Sequence, residues 1–171
     1  TAVFHFSKTA HHGQLRKSPE PYINHPLHVA RILAEIGMDE KTIAAGLLHD
    51  VPEDTEATLD DVREKFGDEV AYLVDGVTKL GKIKLRGSKE EVYLENLRKM
   101  FLAMAQDIRV VIIKLADRLH NMRSLEHLPP DKQQRIARET MDIYAPIANR
   151  LGIGETKVEL EDTCFQYLEP E

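Results

Sequence analysis

Residues 49–54, with the sequence HDVPED, place one imidazole and three carboxylates in a short segment that directly follows the apolar run of residues 43–48. Imidazoles and carboxylates are the usual ligands of catalytic metal ions and the usual general acids and bases of enzymes. A helix that leaves a core needs only a capping group at this point. The segment therefore indicates a metal site with acid–base partners, although a His-Asp pair taken alone is also common without a metal.

Two further candidates lie far from this segment along the chain. His25 precedes Pro26 at the start of a predicted helix, because proline favours the first helical position. Asp117 belongs to the helix predicted for residues 107–123, on the side opposite its main apolar arc, together with Lys114 and Asn121. Two apolar residues share that side. It is therefore either partly covered, in which case Asp117 needs a partner or a metal, or an ordinary solvated face.

The candidate metal ligands come from three predicted helices. They are His25, His49, Asp50 and Asp117. Two imidazoles and two carboxylates without a thiolate favour Mn²⁺, Fe²⁺, Mg²⁺ or Zn²⁺ with open coordination positions over a closed structural zinc site. Such an ion would polarise a phosphoryl oxygen and lower the pKa of bound water, and Glu53 or Asp54 would accept the proton. Because Pro52 disfavours helix at the residue before it, we expect the chain to break after Asp50 and a turn to deliver both carboxylates.

Two basic segments are candidates for binding phosphate. Residues 14–22 contain two prolines, which exclude regular helix and stiffen the loop around Arg16 and Lys17. A guanidinium and an ammonium together suit a phosphate group. Residues 79–89 hold five cations and two glycines and form either a mobile basic loop or an ordinary solvated one. The chain has no glycine-rich Walker loop and no Gly-x-Ser-x-Gly elbow, so the corresponding phosphate-binding and acyl-transfer sites are not expected.

Helical spacing in nearly every segment, without sustained period-two alternation, predicts an all-α fold. The length of the chain suits one domain with one core. The first helix is predicted for residues 2–12, and His11 and His12 are interpreted as cations at its end, favoured by the helix macrodipole. A long helix is predicted for residues 130–151, with a kink at Pro146.

Composition argues against several classes of function. A net charge of −6 disfavours a long nucleic acid as partner, because such partners are held by many Lys and Arg contacts to phosphate. No run approaches the roughly 20 apolar residues that a membrane helix needs, and no N-terminal signal is visible. The single cysteine, Cys164, cannot form a disulfide within the chain, so we expect a reducing compartment, the cytoplasm.

The candidate residues lie within a series of motifs whose joint order is far more specific than any one motif. The motifs are residues 13–18 (GQLRKS), 22–26 (YINHP), 49–55 (HDVPEDT), 76–80 (GVTKL), 114–123 (KLADRLHNMR) and 139–152 (ETMDIYAPIANRLG). Over almost the whole chain this pattern resembles the HD-domain phosphohydrolases. Among them it resembles the N-terminal hydrolase domain of the long RelA/SpoT family of guanosine tetraphosphate enzymes.

The resemblance implies an all-α HD-domain helical bundle in which the four ligand candidates hold one Mn²⁺. It also implies that Glu53 and Asp54 activate the water that attacks the 3′-pyrophosphate of guanosine tetra- or pentaphosphate, releasing pyrophosphate with GDP or GTP. The substrate contacts implied are Arg16, Lys17 and Ser18 at the nucleotide, and Tyr22, Asn121 and Ser124 around the base and ribose. The expected biological role is degradation of this signalling nucleotide in the stringent response.

Three positions depart from the family pattern. Pro52 stands where a small or β-branched residue is usual, Ser124 where threonine is usual, and His12 where an acidic residue is frequent. The first would tilt the acidic pair and the second would loosen a nucleotide contact, but none of them removes a metal ligand. The chain begins with Thr1 and stops where a synthetase domain would be joined. We therefore expect residues 1–171 to be a fragment, with a synthetase domain in cis in the full protein.

Two alternatives remain open at this point. The first is a metal phosphohydrolase of the same fold that acts on another nucleotide, against which the loop with Arg16 and Lys17 argues. The second is a regulatory or interaction domain that binds the nucleotide without turnover. Comparing ppGpp with nucleoside monophosphates as substrates separates the first, and a Glu53→Gln variant separates the second because it has an effect only on a catalyst.

Overall fold

The computed structural model describes residues 1–17, 20–81 and 89–169, and within these ranges the chain is helical. The first six helices are α1 (Ala2–Ala10), α2 (Asn24–Ile36), α3 (Glu40–Leu48), α4 (Val51–Asp54), α5 (Leu59–Phe66) and α6 (Asp68–Gly81). The remaining helices are α7 (Lys89–Gln106), α8 (Ile108–Arg123), α9 (Pro130–Glu139), α10 (Ala145–Arg150) and α11 (Gly154–Leu168). A 3₁₀ turn (Leu125–His127) follows α8, and a π turn (Thr140–Tyr144) joins α9 to α10. The all-α prediction is confirmed, because no described residue lies in a β-strand and the one isolated bridge joins Leu15 to Pro21.

Helix α8 runs through the centre of the core. Ten of its 16 residues are buried, and it packs against α2, α3, α6, α7 and α11. Val110 and Ile113, which share the side of Asp117, are 4% and 0% exposed, and Asp117 itself is 6% exposed. Of the two alternatives that the spacing left open, the structure therefore shows the covered side and not the solvated face.

Helix α3 lies close against α2, and this contact brings their candidate ligands together. The side chain of Asp39 caps α3 by accepting hydrogen bonds from the backbone N–H groups of Lys41 and Thr42. Gly46 faces α2, and a Cβ atom at Gly46 would lie 2.5 Å from Cδ1 of Leu33. The two helices can therefore approach at this point only because residue 46 has no side chain.

The first helix differs from the prediction. It ends two residues earlier than expected, and Gly13 follows at φ 80°, a left-handed conformation that favours glycine. The ring of His11 is 3% exposed and stacks on Tyr22 with 4.6 Å between centroids, while its Nδ1 donates to Oε1 of Gln14 at 2.8 Å. His11 is therefore packed beneath Tyr22 instead of standing exposed at the end of the helix.

The long helix predicted for residues 130–151 is divided by a change in its hydrogen-bonding pattern. The π turn (Thr140–Tyr144) lies directly before Pro146, at the second position of α10. Proline has no backbone N–H to donate to the preceding turn. The structure thus has a wider π turn beside Pro146, while the kink predicted there stays a prediction.

Candidate metal centre

Helices α2, α3 and α8 bring all four candidate ligands together. Nε2 of His25 lies 3.1 Å from Oδ1 of Asp117 and 3.5 Å from Oδ2 of Asp50. Nε2 of His49 lies 3.1 Å from Oδ1 of Asp50 and 3.8 Å from Oδ1 of Asp117. His25 belongs to the first turn of α2, His49 and Asp50 follow the end of α3, and Asp117 lies in the middle of α8. Residues 92 positions apart along the chain thus meet in one small volume.

The ring of His49 is oriented by the backbone of its own helix. Its Nδ1 lies 2.8 Å from the carbonyl oxygen of Gly46, and a carbonyl only accepts, so Nδ1 is the donor. Nε2 therefore faces the two aspartates, and although it lies 3.1 Å from Oδ1 of Asp50, this buried atom makes no well-aligned hydrogen bond with any described residue. Burial lowers the pKa of His49, but the carboxylates of Asp50 and Asp117 outweigh burial and raise it to about 9. A metal at this position would replace the proton on Nε2.

Asp117 is held by two groups of its own helix. Nζ of Lys114 lies 2.7 Å from Oδ2, and Nδ2 of Asn121 donates to Oδ1 at 2.8 Å. Burial raises the pKa of Asp117, but Lys114 and the two histidines outweigh it and keep the pKa well below its usual range. Asp117 is therefore a carboxylate, oriented by Lys114 on one oxygen and presenting the other to the histidines.

The residues present fit a divalent cation. One donor atom from each of His25, His49 and Asp117 lies within 4.8 Å of the others, and all three residues are buried. Asp50 adds a second carboxylate, whose pKa is lowered to about 2 because His49 and His25 outweigh the effect of burial and of Asp117. Two imidazoles and two carboxylates suit borderline and hard divalent ions. The buried Nε2 of His49 without a hydrogen-bond partner is the atom that such an ion would satisfy.

The acidic pair lies on the single turn of α4. Glu53 and Asp54 are both exposed, and Oδ2 of Asp54 accepts a hydrogen bond from the Tyr22 hydroxyl at 2.7 Å. The same hydroxyl lies 2.8 Å from Oδ2 of Asp50. Burial and the two carboxylates raise the pKa of Tyr22, so the hydroxyl keeps its proton. Tyr22 therefore links Asp54 to a candidate metal ligand through one shared proton donor.

Pro52 acts differently from the prediction. The break in the helix falls at His49 and Asp50, and Val51 already begins α4 instead of being excluded from helix. Pro52 occupies the first turn of α4, where a missing N–H leaves no hydrogen bond unmade. Val51 is fully buried, and its packing outweighs the preference of a residue before proline for extended backbone. The expected separation of Glu53 and Asp54 from α3 is nevertheless present.

A cavity of about 560 Å³ opens beside the candidate ligands. Three of these ligands line it, namely His25, Asp50 and Asp117. Five of the predicted substrate contacts also line it, namely Arg16, Lys17, Tyr22, Asn121 and Ser124. The sixth, Ser18, lies outside the described residues, as do residues 82–88 of the second basic segment. The volume lies within the range of pockets that bind small molecules, and the substrate role of these residues stays a prediction.

The loop that carries Arg16 is closed by its own backbone. The N–H of Arg16 donates to the carbonyl of Glu20 at 3.1 Å, and the N–H of Tyr22 donates to the carbonyl of Gln14 at 3.0 Å. The guanidinium of Arg16 then reaches α8, where Nη2 donates to Oδ1 of Asn121 at 2.7 Å. These contacts direct the Arg16 side chain to α8, while the stiffness inferred from the two prolines stays a prediction, since Pro19 lies outside the described residues.

Comparison with known proteins identifies the fold. Residues 3–154 match the HD domain family. The chain belongs to the HD domain family. A solved structure described as "A metazoan ortholog of SpoT hydrolyzes ppGpp and plays a role in starvation responses" aligns with 96% of this HD domain and 92% of its own chain, at 28% identity and a TM-score of 0.73.

Curated relatives with higher identity are much longer proteins. The HD domain is 60% identical over 168 residues to a GTP pyrophosphokinase of Myxococcus xanthus, covering 97% of this chain and 22% of that protein. It is 58% identical over 164 residues to the bifunctional (p)ppGpp synthase/hydrolase SpoT of Escherichia coli K12, covering 96% of this chain and 23% of that protein. The resemblance to guanosine tetraphosphate enzymes is confirmed as a similarity, and the chain spans less than a quarter of these relatives.

Arg118 is a cavity residue of the HD domain that the sequence analysis did not single out. Its guanidinium carbon lies 4.1 Å from the centre of the Tyr144 ring, and its Nη2 lies 3.4 Å from Oε2 of Glu139. Burial lowers its pKa, but Tyr144 and Glu139 outweigh burial and raise it. Helical spacing assigned Arg118 no partner, because both partners lie more than 20 residues further along the chain. Only the tertiary contact between α8 and the end of α9 reveals it.

No helix among the described residues is both long and apolar enough to cross a bilayer.

Proposed function

We propose that this HD domain hydrolyses guanosine tetra- and pentaphosphate at the 3′-pyrophosphate, giving GDP or GTP and pyrophosphate, with one Mn²⁺ as its metal. The observation that carries the proposal is the shared cavity: three candidate metal ligands line it together with Arg16 and Lys17 of the basic loop. A phosphate gripped by that loop would lie beside the metal. The names of the curated relatives, and the ppGpp hydrolysis ascribed to the solved metazoan structure, support this substrate class.

The metal would be held by His25, His49, Asp50 and Asp117. When bound, it would polarise a phosphoryl oxygen and lower the pKa of a water molecule. The two imidazoles oppose Mg²⁺, which prefers oxygen ligands, and the absent thiolate opposes a structural zinc site. Manganese is the ion that the family resemblance implies, and the mixed nitrogen and oxygen set is compatible with it.

The proposed reaction is hydrolysis of the bond between the 3′ oxygen of the ribose and the adjacent phosphorus. The oxygen of water forms a bond to the phosphorus next to the ribose, and the bond from that phosphorus to the ribose 3′ oxygen breaks. The leaving 3′ oxygen gains a proton and becomes a hydroxyl. Glu53 or Asp54 would take the proton that water loses, as the general base on the turn directly after the candidate ligands, and this proton balances the one that the 3′ oxygen gains. Tyr22 keeps Asp54 oriented toward the site by its hydrogen bond of 2.7 Å.

The nucleotide would be bound by two groups of residues at the cavity, one cationic and one of uncharged polar side chains. Arg16 and Lys17, with Ser18 beside them, would neutralise the phosphates, because a guanidinium fork and an ammonium both donate to phosphate oxygens. Tyr22, Asn121 and Ser124 would contact the base and ribose. Because the curated relatives are much longer, we further propose that a synthetase domain lies in cis in the whole protein. The role of the HD domain would be degradation of ppGpp in the cytoplasm during the stringent response.

The test is a product analysis with matched variants. Purified protein with Mn²⁺ should convert ppGpp into equal amounts of GDP and pyrophosphate, and should release phosphate from nucleoside monophosphates far more slowly. Glu53→Gln and Asp54→Asn should abolish turnover while the metal content stays near that of the wild type. Glu56→Gln, the same change at an exposed residue on the same segment, is the control and should retain activity.

Two results would contradict the proposal. Faster hydrolysis of nucleoside monophosphates than of ppGpp would reject the substrate. Full activity of Glu53→Gln and of Asp54→Asn would reject the acid–base roles, and binding of ppGpp without any turnover would favour the regulatory alternative.

A further inference from the structure

His120 is a buried histidine of α8 that lies between the basic loop and a candidate metal ligand. It is 9% exposed. Its Nδ1 lies 2.7 Å from Nδ1 of His25 and 3.1 Å from Nη1 of Arg16. The exposed ring of His28 stacks on its other side, with 4.8 Å between centroids and 13° between planes. The sequence gives His120 no role, since it falls on neither the apolar arc nor the ligand set.

The chemistry of the three groups decides which atom carries each proton. A guanidinium only donates hydrogen bonds, so Nδ1 of His120 must be the acceptor, with its one lone pair shared between the donors Arg16 and His25. Nδ1 of His25 then has to be the donor in the bond of 2.7 Å, because two bare nitrogens would repel at that distance. A histidine that donates from Nδ1 binds a metal through Nε2. Nε2 is the atom of His25 that lies 3.1 Å from Asp117.

We propose that His120 is a positioning residue, which fixes the His25 ring with Nε2 directed at the metal and is itself fixed as an acceptor by Arg16. The inference rests on the metal site of the proposed function and adds a residue to it. Metal-bound histidines generally donate their other ring nitrogen to an oxygen acceptor, and loss of that partner weakens metal binding. Here the acceptor is a second imidazole, which links the phosphate-binding arginine to a metal ligand.

The hydrogen bonds of Arg16 connect the predicted phosphate-binding loop to the candidate metal site. The fork of Arg16 contacts two successive residues of α8, through Nη1 to His120 and through Nη2 to Asn121. Asn121 in turn donates to Oδ1 of Asp117. Each arm of the guanidinium therefore ends on a residue that holds a metal ligand, so the cation that would grip the nucleotide also orders the metal site.

The test measures Mn²⁺ affinity by equilibrium dialysis without nucleotide. His120→Leu should weaken the affinity by about 10- to 100-fold, the range found when partners of metal-bound histidines are removed. His120→Asn should restore most of it, because the amide oxygen of Asn can accept at the position of Nδ1. His28→Asn, a change at the histidine stacked on the same ring but outside this chain of hydrogen bonds, should leave the affinity unchanged.

A structural role alone would not give this pattern. Equal affinity of His120→Leu and the wild type would overturn the inference, and so would an affinity of His120→Asn as low as that of His120→Leu. His120→Leu removes a buried polar group and so changes stability as well as the hydrogen bond to His25. A second measurement therefore uses the wild-type protein, which needs no substitution. In protein loaded with diamagnetic Zn²⁺, nitrogen NMR should place a proton on Nδ1 of His25 with a scalar coupling to Nδ1 of His120. A proton on Nε2 of His25 would refute the role.

The failure of this inference is distinguishable from failure of the proposed function. A wild type that binds no divalent ion refutes both. A wild type that binds Mn²⁺ and depends on His120, but does not hydrolyse ppGpp, refutes the proposed substrate and supports the role of His120.

Discussion

The pair formed by Lys114 and Asp117 allows a quantitative test of how the site is built without any metal or substrate. Nζ of Lys114 lies 2.7 Å from Oδ2 of Asp117, and their side chains are 18% and 8% exposed. Removing one partner of a buried ion pair costs about 3–5 kcal/mol, because the remaining charge has lost its compensation. Asp117→Ala should therefore lower the free energy of unfolding by about that amount.

The corresponding change in melting temperature follows from the size of the chain. For 150–250 residues, a loss of 1 kcal/mol lowers Tm by about 2–4 °C, so Asp117→Ala should lower it by about 6–20 °C. Lys114→Met should cost less, about 1.5–3 kcal/mol for a charged hydrogen bond, since Asp117 retains His25 and Asn121 as partners.

The double variant separates this explanation from a general loss of packing. Once Asp117 is absent, Lys114 is an unpaired buried cation, so replacing it with Met should recover part of the loss. The double variant should be more stable than the sum of the single changes predicts, by about 1–3 kcal/mol. Urea unfolding with excess chelator is the assay, because bound metal would add its own stabilisation.

An exposed ion pair provides the control cycle. Arg31 and Glu35 on α2 lie 2.9 Å apart with side chains 73% and 58% exposed, and their cycle should give less than about 0.5 kcal/mol. Strictly additive effects of Lys114→Met and Asp117→Ala would refute the reasoning, because they would mean that the lysine does not compensate the buried carboxylate.

Two further predictions concern the elements around the site. Asp39→Ala removes the cap of α3 and should cost about 1 kcal/mol at pH 7. Hydrogen bonds from Thr42 keep the pKa of Asp39 below its ordinary value. The cap therefore stabilises the protein fully at any pH above that ordinary pKa. Urea unfolding should show the contribution of the cap disappear as the pH falls through the lowered pKa. Arg16→Met should raise KM for ppGpp by about 10- to 100-fold through the loss of a charged hydrogen bond. Steady-state kinetics should show no such change for Arg31→Met, and equal KM values for all three proteins would contradict the role of Arg16.

The sequence predicted the candidate ligands more completely than the groups that orient them. His25, His49, Asp50 and Asp117 were found because a metal site demands particular residue types, and these types stand out in short motifs. Their convergence required only that three helices pack together. Lys114 and Asn121 were also placed on the side of Asp117, since helical spacing fixes which residues share a face.

The residues that were missed act through tertiary contacts. His120 meets Arg16 across 104 positions and His25 across 95, and no spacing rule connects such groups. The burial of His11 beneath Tyr22 was missed for the same reason, since a histidine at a helix end gives no sign that a loop will cover it. Pro52 was predicted to exclude Val51 from helix, and this was wrong because the burial of Val51 outweighed the local backbone preference.

The proposed chemistry depends most directly on one ion lying among the four converging side chains. Crystals soaked in Mn²⁺ and measured at the manganese absorption edge would locate it by anomalous scattering. We predict a single strong peak within bonding distance of Nε2 of both His25 and His49 and of carboxylate oxygens of Asp50 and Asp117, and no peak at this position in Asp117→Ala. A Mn²⁺ peak elsewhere in the molecule, with none among these four side chains, would contradict the proposed metal centre.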